Sequence, residues 1–382
     1  MRIGGDVQVF GRAKIVIIIG PLMQIKDGFY MERDADIFEA FSNSPPYWMT
    51  NRLNALLEVK TTIITSIPTT TINLLIYLTE VVKWYKEEQG LTFRTLEPFN
   101  EPTTGLWHEL VQNSHNTLSI QTGSQEGCTY NYSTMVKVID KGGAYLNNKG
   151  LSNTTSVSIV DEGLIEGEIA TINAISGLNI IGDQALSYVS QYNTHAYFGF
   201  QRTTIFDMAK NDRDIGHQKT CPLSEEILND MRNLKPVAWV YWQVIEHAPN
   251  GTYSNDYGLI GADFSNSTIP LDIRLSFYGF AQFTKFIRPG YQIISSDDDD
   301  TLAAQDASKE TLVLVCTNKN NASDIWNINV SKFNINSFNV YRTSNDNEAL
   351  KLLPNSWNIT DGILTYESPA NSITTRIFNV TQ

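Results

Sequence analysis

Basic residues are scarce in this sequence relative to acidic ones. It contains 28 lysine and arginine residues against 41 aspartate and glutamate residues, which gives a formal charge of −13 at pH 7. Contacts to nucleic-acid phosphates need clustered lysine or arginine side chains, and no basic stripe offsets this acidic excess. The composition therefore argues against a nucleic-acid partner and favours a neutral one.

Long apolar runs are also missing. The richest apolar segment, residues 72–82, is interrupted by Asn73 and Glu80, so no stretch has the length and apolarity that a bilayer requires. The apolar run at residues 15–19 is short, and no small-residue cleavage site follows it. We therefore expect no membrane partner and no signal peptide in this chain.

Cysteine is the third scarce feature. Cys128, Cys221 and Cys316 are far apart in the sequence. This spacing is typical of neither a zinc knuckle nor a disulfide framework. Because their number is odd, at least one of them is unpaired.

Acceptors for N-glycosylation, by contrast, are frequent. The Asn-x-Ser/Thr pattern suits a chain that evolved for a secretory route, although an asparagine-rich sequence also produces it by chance. We expect a secreted protein. The pattern begins at Asn131, Asn153, Asn250, Asn266, Asn321, Asn329, Asn358 and Asn379.

The main part of the chain shows alternating segment types. Its 382 residues, 42% of them hydrophobic, suffice for one barrel-sized domain and a smaller one. From residue 34 to about residue 288, short apolar runs alternate with longer amphipathic ones, which is typical of parallel strands joined by crossover helices. Strands are predicted at residues 36–41, 92–97, 155–160, 191–197 and 237–243. Helices are predicted at residues 74–88, 134–147, 223–234 and 271–286.

The pattern changes beyond the acidic run at residues 297–300. Short β-rich segments separated by asparagine, serine and glycine clusters predict an antiparallel β-sandwich. They lie at residues 311–317, 325–330, 337–341, 363–366 and 373–380. We therefore predict an α/β fold with a (β/α)8 TIM-type barrel at residues 1–288 and a β-sandwich side domain at residues 289–382.

An Asn-Glu-Pro tripeptide follows the strand predicted at residues 92–97. In a parallel barrel this end of a strand is where loop residues converge on the substrate. A glutamate there can protonate the oxygen of a departing sugar, and the preceding asparagine can donate a hydrogen bond to the sugar 2-hydroxyl. We predict Glu101 as the proton donor and Asn100 as a substrate contact; a chance Glu-Pro pair in an exposed loop is the alternative.

Three further segments carry residues suited to sugar binding. Trp48 follows a Pro-Pro pair and can stack on a sugar ring, while Asn43 can form hydrogen bonds with it; aromatic residues beside prolines otherwise serve packing. His195 and Tyr197 lie two residues apart and so on one strand face, where a structural hydrogen bond is the alternative role. Trp242 can form the floor of a sugar subsite or part of a barrel core.

Four segments, in this order, resemble glycoside hydrolase family 30 and most closely its endo-β-1,6-galactanase-like branch. They are residues 38–50, 77–102, 193–203 and 234–246. Residues 286–294 and the β-rich tail are similar to the side domain of that family. The resemblance implies a retaining mechanism on β-1,6-galactan or a related β-linked polysaccharide, with Glu101 as acid/base and neither metal nor organic cofactor. We expect a monomer that binds a polysaccharide or oligosaccharide.

The resemblance fails where a second carboxylate is expected. A retaining glycosidase needs a nucleophilic carboxylate about 5 Å from the acid, and the family supplies it from a Trp-x-Ser-Glu motif. Residues 214–220 occupy that place and carry no carboxylate at the matching position, since Asp214 lies too early. Glu225 and Glu226 begin a predicted helix, where acidic residues commonly favour the helix dipole. They are weak candidates for the nucleophile.

Two further features of the sequence bear on whether the barrel and its active site are complete. A shifted reading frame at residues 215–219 permits a Trp-x-Ser-Glu motif, so we hypothesise a frameshift there. Residues 2–6 resemble the second barrel strand of the family, from which we expect a barrel that is incomplete at its N-terminal end. Three functions stay open: a glycoside hydrolase impaired by the missing nucleophile, a non-catalytic saccharide-binding protein, and a non-functional frameshifted product.

Overall fold

The structure is a computed structural model of the chain, and it describes the greater part of it. The described residues are 8–9, 13–18, 35–43, 62–64, 69–104, 111–112, 118–119, 128–178, 184–195, 197, 199–211, 213–219, 223–249, 257–345, 348–354 and 359–381. For the described residues within 8–36, 62–72, 111–128 and 214–219, only the backbone is described.

The strands are numbered in chain order. Those that begin before residue 220 are β1 (Gln8–Val9), β2 (Ala13–Ile18), β3 (Ala35–Phe41), β4 (Thr62–Ile64), β5 (Thr95–Glu97), β6 (Val111–Gln112), β7 (Leu118–Ser119), β8 (Cys128–Tyr130), β9 (Ser156–Glu162), β10 (Val189–His195) and β11 (Asp214–Lys219). The later strands are β12 (Ala238–Tyr241), β13 (Ile245–His247), β14 (Ile260–Ala262), β15 (Asp272–Ile273), β16 (Gln292–Ile294), β17 (Thr301–Gln305), β18 (Thr311–Asn318), β19 (Asp324–Asn329), β20 (Asn334–Ser344), β21 (Glu348–Leu353), β22 (Ile359–Thr360), β23 (Ile363–Ser368) and β24 (Ser372–Thr381).

The helices are numbered in the same way. They are α1 (Thr69–Glu88), α2 (Tyr132–Asn148), α3 (Ile165–Ser176), α4 (Arg202–Ala209), α5 (Leu223–Asn229) and α6 (Leu275–Thr284), with a π-helical turn, Asp230–Leu234, continuing α5. Among the helices in the described ranges, none combines the length and the apolarity needed to cross a membrane.

One compact unit, Ala13–Gln218, is built on a parallel sheet. Its strands lie in the order β2-β3-β5-β9-β10-β11, and each neighbouring pair in this order is parallel. The helices α1 to α4 lie between these strands in the sequence, as crossover connections between parallel strands require. The carboxyl ends of all six strands therefore lie at one edge of the sheet.

Burial explains why these segments form strands and helices. All residues of β5 are buried, as are nearly all of β9 and β10, which is expected where helices cover a parallel sheet. Helix α2 begins at Asn131, whose Oδ1 accepts a hydrogen bond from the backbone N–H of Thr134 at 2.9 Å. Its residues Met135, Ile139 and Leu146 recur at helical spacing and are buried.

The other unit, Met1–Arg12 with Lys219–Gln382, is rich in β-structure. Its larger sheet has the order β1-β16-β17-β18-β24-β20-β21, and a smaller one has the order β19-β23-β22. The strand pairs reported for both sheets are antiparallel.

Side chains of both antiparallel sheets form one buried apolar cluster. Leu314 and Phe378 come from the larger sheet, and Ile328 and Tyr366 come from the smaller one. Val313, next to Leu314 in β18, belongs instead to a second cluster that includes helix α6. This alternation with a period of two places the larger sheet between the smaller sheet and the helix.

The predicted alternation of strands and helices followed by a β-rich tail is confirmed, with shifts at segment ends. The helix predicted at 271–286 begins only at Leu275, because residues 272 and 273 form β15 and pair with β14. Likewise the helix predicted at 223–234 changes to a π-helical turn after Asn229. Strand β2 was not among the predicted strands.

Candidate active site

Glu101 lies just after β5, at the edge of the parallel sheet where the carboxyl ends of the strands meet, and its side chain is buried. Its backbone φ is 46°, in the left-handed region that non-glycine residues adopt uncommonly. The Glu101 N–H donates to the Asp161 carbonyl oxygen at 2.9 Å, and the Glu101 carbonyl oxygen accepts from the Thr104 N–H at 3.3 Å. Hydrogen bonds on both sides therefore fix the turn that carries the carboxyl group.

His195, the last residue of β10, joins Glu101 to Asp161. Its Nδ1 lies 2.8 Å from Glu101 Oε1 and forms a hydrogen bond with it. Its Nε2 lies 3.2 Å from Asp161 Oδ2, an ion-pair contact that lacks the alignment of a hydrogen bond. The side chains of His195, Glu101 and Asp161 are 3%, 4% and 6% exposed. The Tyr197 ring packs edge-on against the imidazole, with ring centroids 5.3 Å apart.

The carboxyl groups around His195 keep its imidazole charged. Burial alone lowers the pKa of an imidazole, but the negative charge of Asp161 and the contacts with Asp161 and Glu101 outweigh it and raise the His195 pKa to about 10. At neutral pH the imidazole is therefore an imidazolium, and its Nδ1–H donates to a carboxyl oxygen of Glu101.

Two more buried carboxyl groups lie beside this triad. Glu168 accepts hydrogen bonds from the backbone N–H groups of Val160 and Glu162, both at 3.2 Å. Burial, and then the charge of Glu162, hold the Glu168 pKa well above its ordinary value. Glu162 accepts from the hydroxyls of Thr103 at 2.8 Å and Thr171 at 2.9 Å; burial raises its pKa, which these hydrogen bonds partly offset.

A column of polar side chains runs through the sheet beneath Glu101. Glu39 Oε2 accepts from Thr95 Oγ1 at 2.6 Å, from Gln191 Nε2 at 2.8 Å and from Asn193 Nδ2 at 3.1 Å. Asn193 Nδ2 also donates to Glu97 Oε2 at 3.0 Å. Burial, followed by the charges of Asp161, Glu39 and Glu168, raises the Glu97 pKa well above its ordinary value.

The acidic residues differ in how their charge is compensated. Within the residues that the structure describes, no group of three or more histidine, cysteine, aspartate or glutamate side chains is arranged to hold a metal ion. The raised pKa values of Glu97 and Glu168 favour the neutral forms of these two buried groups. His195 supplies the positive charge that contacts Glu101 and Asp161.

The structure brings several of the predicted site residues together. Glu101, Asn100, His195 and Tyr197 lie at the carboxyl ends of β5 and β10, and Asn43 follows β3 at the same edge. Trp48 lies outside the described residues. Trp242 directly follows β12 in the β-rich unit and is partly buried.

Asp161 was missed by the reading of the sequence. It lies in β9, has a φ of 58°, and contacts both the backbone of Glu101 and the ring of His195. The signal available was an acidic pair, Asp161-Glu162, closing a strand of buried apolar residues. An acidic pair at a strand end indicates a site only when its strand is known to lie next to the strand that precedes Glu101.

The strand expected to carry the nucleophile is β11, of which only the backbone is described. β11 pairs in parallel with β10, and its register places His217 opposite Thr194 and Gln218 opposite His195. The sequence contains neither aspartate nor glutamate from residue 215 to residue 224. Glu225 lies in the first turn of α5 with 55% of its side chain exposed, 3.5 Å from Lys319.

Comparison with known proteins reveals one curated relative. An endo-beta-1,6-galactanase from Hypocrea rufa is 30% identical over 301 residues, which are 76% of this chain and 57% of that protein. The chain thus spans little more than half the length of this relative. No family model matches the chain.

Solved structures share the fold. The catalytic domain of the glycoside hydrolase family 30 xylanase C from Talaromyces cellulolyticus matches with a TM-score of 0.67 at 16% identity, covering 91% of this chain and 77% of that one. A family 30 subfamily 8 xylanase from Clostridium acetobutylicum matches with a TM-score of 0.66 at 19% identity, covering 90% of this chain and 80% of that one.

The sheets, the buried carboxyl groups at the carboxyl ends of the parallel strands and these relatives define the class of protein. By lineage the chain is a glycoside hydrolase with an α/β TIM-type domain and a β-rich domain. Within that class it is endo-β-1,6-galactanase-like in sequence and resembles glycoside hydrolase family 30 in fold, which confirms the resemblance found in its sequence motifs.

Proposed function

We propose that the chain is a retaining O-glycoside hydrolase that acts, as a monomer, on β-1,6-galactan or a related β-linked polysaccharide, with Glu101 as general acid/base. The observation that carries this proposal is the buried hydrogen bond between Glu101 Oε1 and His195 Nδ1 at the carboxyl edge of the parallel sheet. The galactanase from Hypocrea rufa supplies the substrate class.

In this mechanism Glu101 transfers a proton to the glycosidic oxygen as its bond to the anomeric carbon breaks. It later takes a proton from the water that releases the sugar. The hydrogen bond from His195 fixes the plane of the carboxyl group for both transfers. Asn100, Asn43 and Tyr197 contact the sugar from the same edge, and Trp48 provides a stacking surface.

We further propose that this activity is impaired. The covalent glycosyl intermediate of a retaining enzyme needs a carboxylate opposite the acid, and residues 215–224 supply none. Glu225 and Glu226 are not proposed in its place, because acidic residues in a first helical turn already stabilise the helix dipole.

The domain organisation is part of the proposal. In this proposal, residues 1–288 form a (β/α)8 TIM-type domain and residues 289–382 form a β-sandwich side domain. Six parallel strands in sequential order support the barrel, and a shared apolar cluster between two antiparallel sheets supports the sandwich.

Secretion and glycosylation are also proposed. Several Asn-x-Ser/Thr acceptors have exposed asparagine side chains: Asn131, Asn153, Asn266, Asn321 and Asn379. A glycan there would extend into solvent without disturbing the core. Glycosylation can be tested by mass spectrometry of peptides from the chain expressed in a eukaryotic secretory host. Unmodified peptides at all five positions would refute the proposal.

A non-catalytic saccharide-binding protein is the second candidate, favoured by the missing carboxylate. It would keep the contacts that bind sugar but lack the covalent step. A frameshifted product without function is the third, and sequencing the coding DNA around codon 215 tests it directly.

An external carboxylate separates the first two candidates. We expect molar formate to restore release of galactose from β-1,6-galactobiose: a formate oxygen attacks the anomeric carbon, Glu101 protonates the departing oxygen, and water then hydrolyses the glycosyl formate. Glu101→Gln should lower this formate-dependent rate about 10²- to 10⁴-fold. With an activated aryl β-galactoside the first step should change far less, because an aryloxide leaves without a proton.

Asp207→Asn is the matched control, since this exposed carboxylate on α4 pairs only with a surface lysine in the described residues. Sugar binding without formate-dependent turnover would favour the second candidate. Turnover without formate that Glu101→Gln abolishes would show that a nucleophile is present after all.

A further inference from the structure

We propose that Asp161 is a positioning residue for Glu101, holding it at two points: directly through the backbone, and through the imidazole of His195. The inference rests on the proposed acid/base role of Glu101 and deepens it. Asp161 has no counterpart among the residues expected from the sequence.

Asp161 makes the two contacts with different groups, its backbone carbonyl and its side-chain carboxyl group. Its carbonyl oxygen accepts the N–H of Glu101 at 2.9 Å, which ties the turn after β5 to strand β9. Its carboxylate oxygen Oδ2 lies 3.2 Å from His195 Nε2, and His195 Nδ1 in turn lies 2.8 Å from Glu101 Oε1. Displacing Asp161 would therefore change both the backbone and the side-chain geometry of Glu101.

The backbone at both residues is strained in the same way. Glu101 has a φ of 46° and Asp161 a φ of 58°, although neither is glycine. A left-handed conformation is unfavourable for a non-glycine residue and persists only where its surroundings fix it. Two such residues joined by a backbone hydrogen bond indicate a local geometry that serves a site.

Charge explains why an aspartate is needed here. The titratable groups around His195 are Glu101 from the turn after β5 and Asp161 from β9, while Glu97 and Glu168 interact with Asp161 from β5 and α3. Of these groups, Glu101 and Asp161 contact the imidazole directly, through Nδ1 and Nε2. The charge of Asp161 helps to keep His195 protonated, while Nδ1 of the same ring forms a hydrogen bond with Glu101.

The substitution Asp161→Asn tests this role with little disturbance of the backbone. Asparagine tolerates a positive φ better than most residues and matches aspartate in shape, so the hydrogen bond from Glu101 N–H is retained while the charge is removed. We expect the imidazolium to lose its main support, so that the pKa of His195 falls in the variant.

The first measurement is the charge state of His195 by NMR of ¹⁵N-labelled histidine. The chain has five histidines, and His195→Gln identifies the signal. In the unmodified chain we expect an imidazolium up to at least pH 9, with titration in Asp161→Asn moved to lower pH. Asp207→Asn should leave the signal unchanged. A neutral His195 at pH 7.5 in the unmodified chain would overturn the inference, even if Asp161→Asn failed to fold.

The second measurement is formate-dependent kcat/KM against pH. We expect Asp161→Asn to lose about 10²-fold at neutral pH and to show an alkaline limb displaced to lower pH in step with the NMR titration. A titration shift that leaves kcat/KM unchanged would refute the positioning role. If no chain turns over any substrate, the proposed function fails, whereas the control of His195 by Asp161 is still decided by the NMR result.

Discussion

At the scale of single residues, one positive charge lies between two buried carboxyl groups. The imidazolium of His195 lies between Glu101 and Asp161, and all three side chains are almost inaccessible to solvent. Removing one partner of such a buried arrangement leaves an uncompensated charge, which is strongly unfavourable. The site therefore depends on the protonation of His195 for its stability as well as for its chemistry.

The stability of the chain should accordingly depend on pH. The His195 pKa is about 10 when folded and 6.5 ordinarily, so its contribution to folding is complete below pH 6.5 and is lost as the pH rises toward 10. We expect the free energy of unfolding in urea to fall by on the order of 4 kcal/mol across this range.

His195→Gln is the control for that measurement. In this variant, the free energy of unfolding should decline much less between pH 6.5 and 10 than it does in the unmodified chain. A decline that begins near pH 4.5 should remain, because the raised pKa values of Glu97 and Glu168 also favour the folded state more at low pH. Identical curves for both chains would contradict a charged His195.

At the scale of helices and strands, close packing of α2 against the start of β10 is visible at two adjacent glycines. A Cβ at Gly143 would lie 2.0 Å from Cγ of the Tyr188 ring, whereas a Cβ at Gly142 would approach Leu75 Cδ2 at an ordinary 3.5 Å. The same substitution should therefore act in opposite directions at these neighbouring positions.

We expect Gly143→Ala to lower the free energy of unfolding by about 1–3 kcal/mol, because the added methyl forces Tyr188 to move. Gly142→Ala should leave it unchanged or raise it by up to about 1 kcal/mol, since alanine favours a helix interior over glycine. Urea unfolding of both variants checks this. Equal destabilisation by the two would mean that Tyr188 does not pack on α2 as described.

Segment types could be predicted from the sequence more readily than segment ends. The periodicity of apolar residues indicated α2 and β9 within a few residues of their observed bounds, because burial of one face sets that pattern. The start of α6 was misplaced, since Ile273 carries the same apolar signal whether it lies in a helix or pairs with Ile260 in a sheet. Only the tertiary pairing separates these two structures.

At the scale of the whole chain, the site was predictable where its residues are contiguous in sequence. Asn100 and Glu101 form one motif after one strand, and this motif pointed to sugar chemistry. The partner of Glu101 is 94 residues away, and its distance depends on the order of strands in the sheet. Asp161 carries no motif of its own, so only the folded sheet brings it beside His195.

Net charge leads to an expectation for binding that does not depend on catalysis. A chain with a formal charge of −13 repels polyanions, whereas a neutral galactan is held by hydrogen bonds and stacking that salt screens little. We expect a β-1,6-galacto-oligosaccharide to raise the thermal midpoint equally at low and high ionic strength, with about 2.7 kcal/mol of stabilisation at about 100 times its Kd. An equal concentration of heparin, as a polyanionic control, should not raise it. A midpoint that heparin raises more than the neutral oligosaccharide would reverse the inference from charge, because attraction would then come from basic surface that the composition does not suggest.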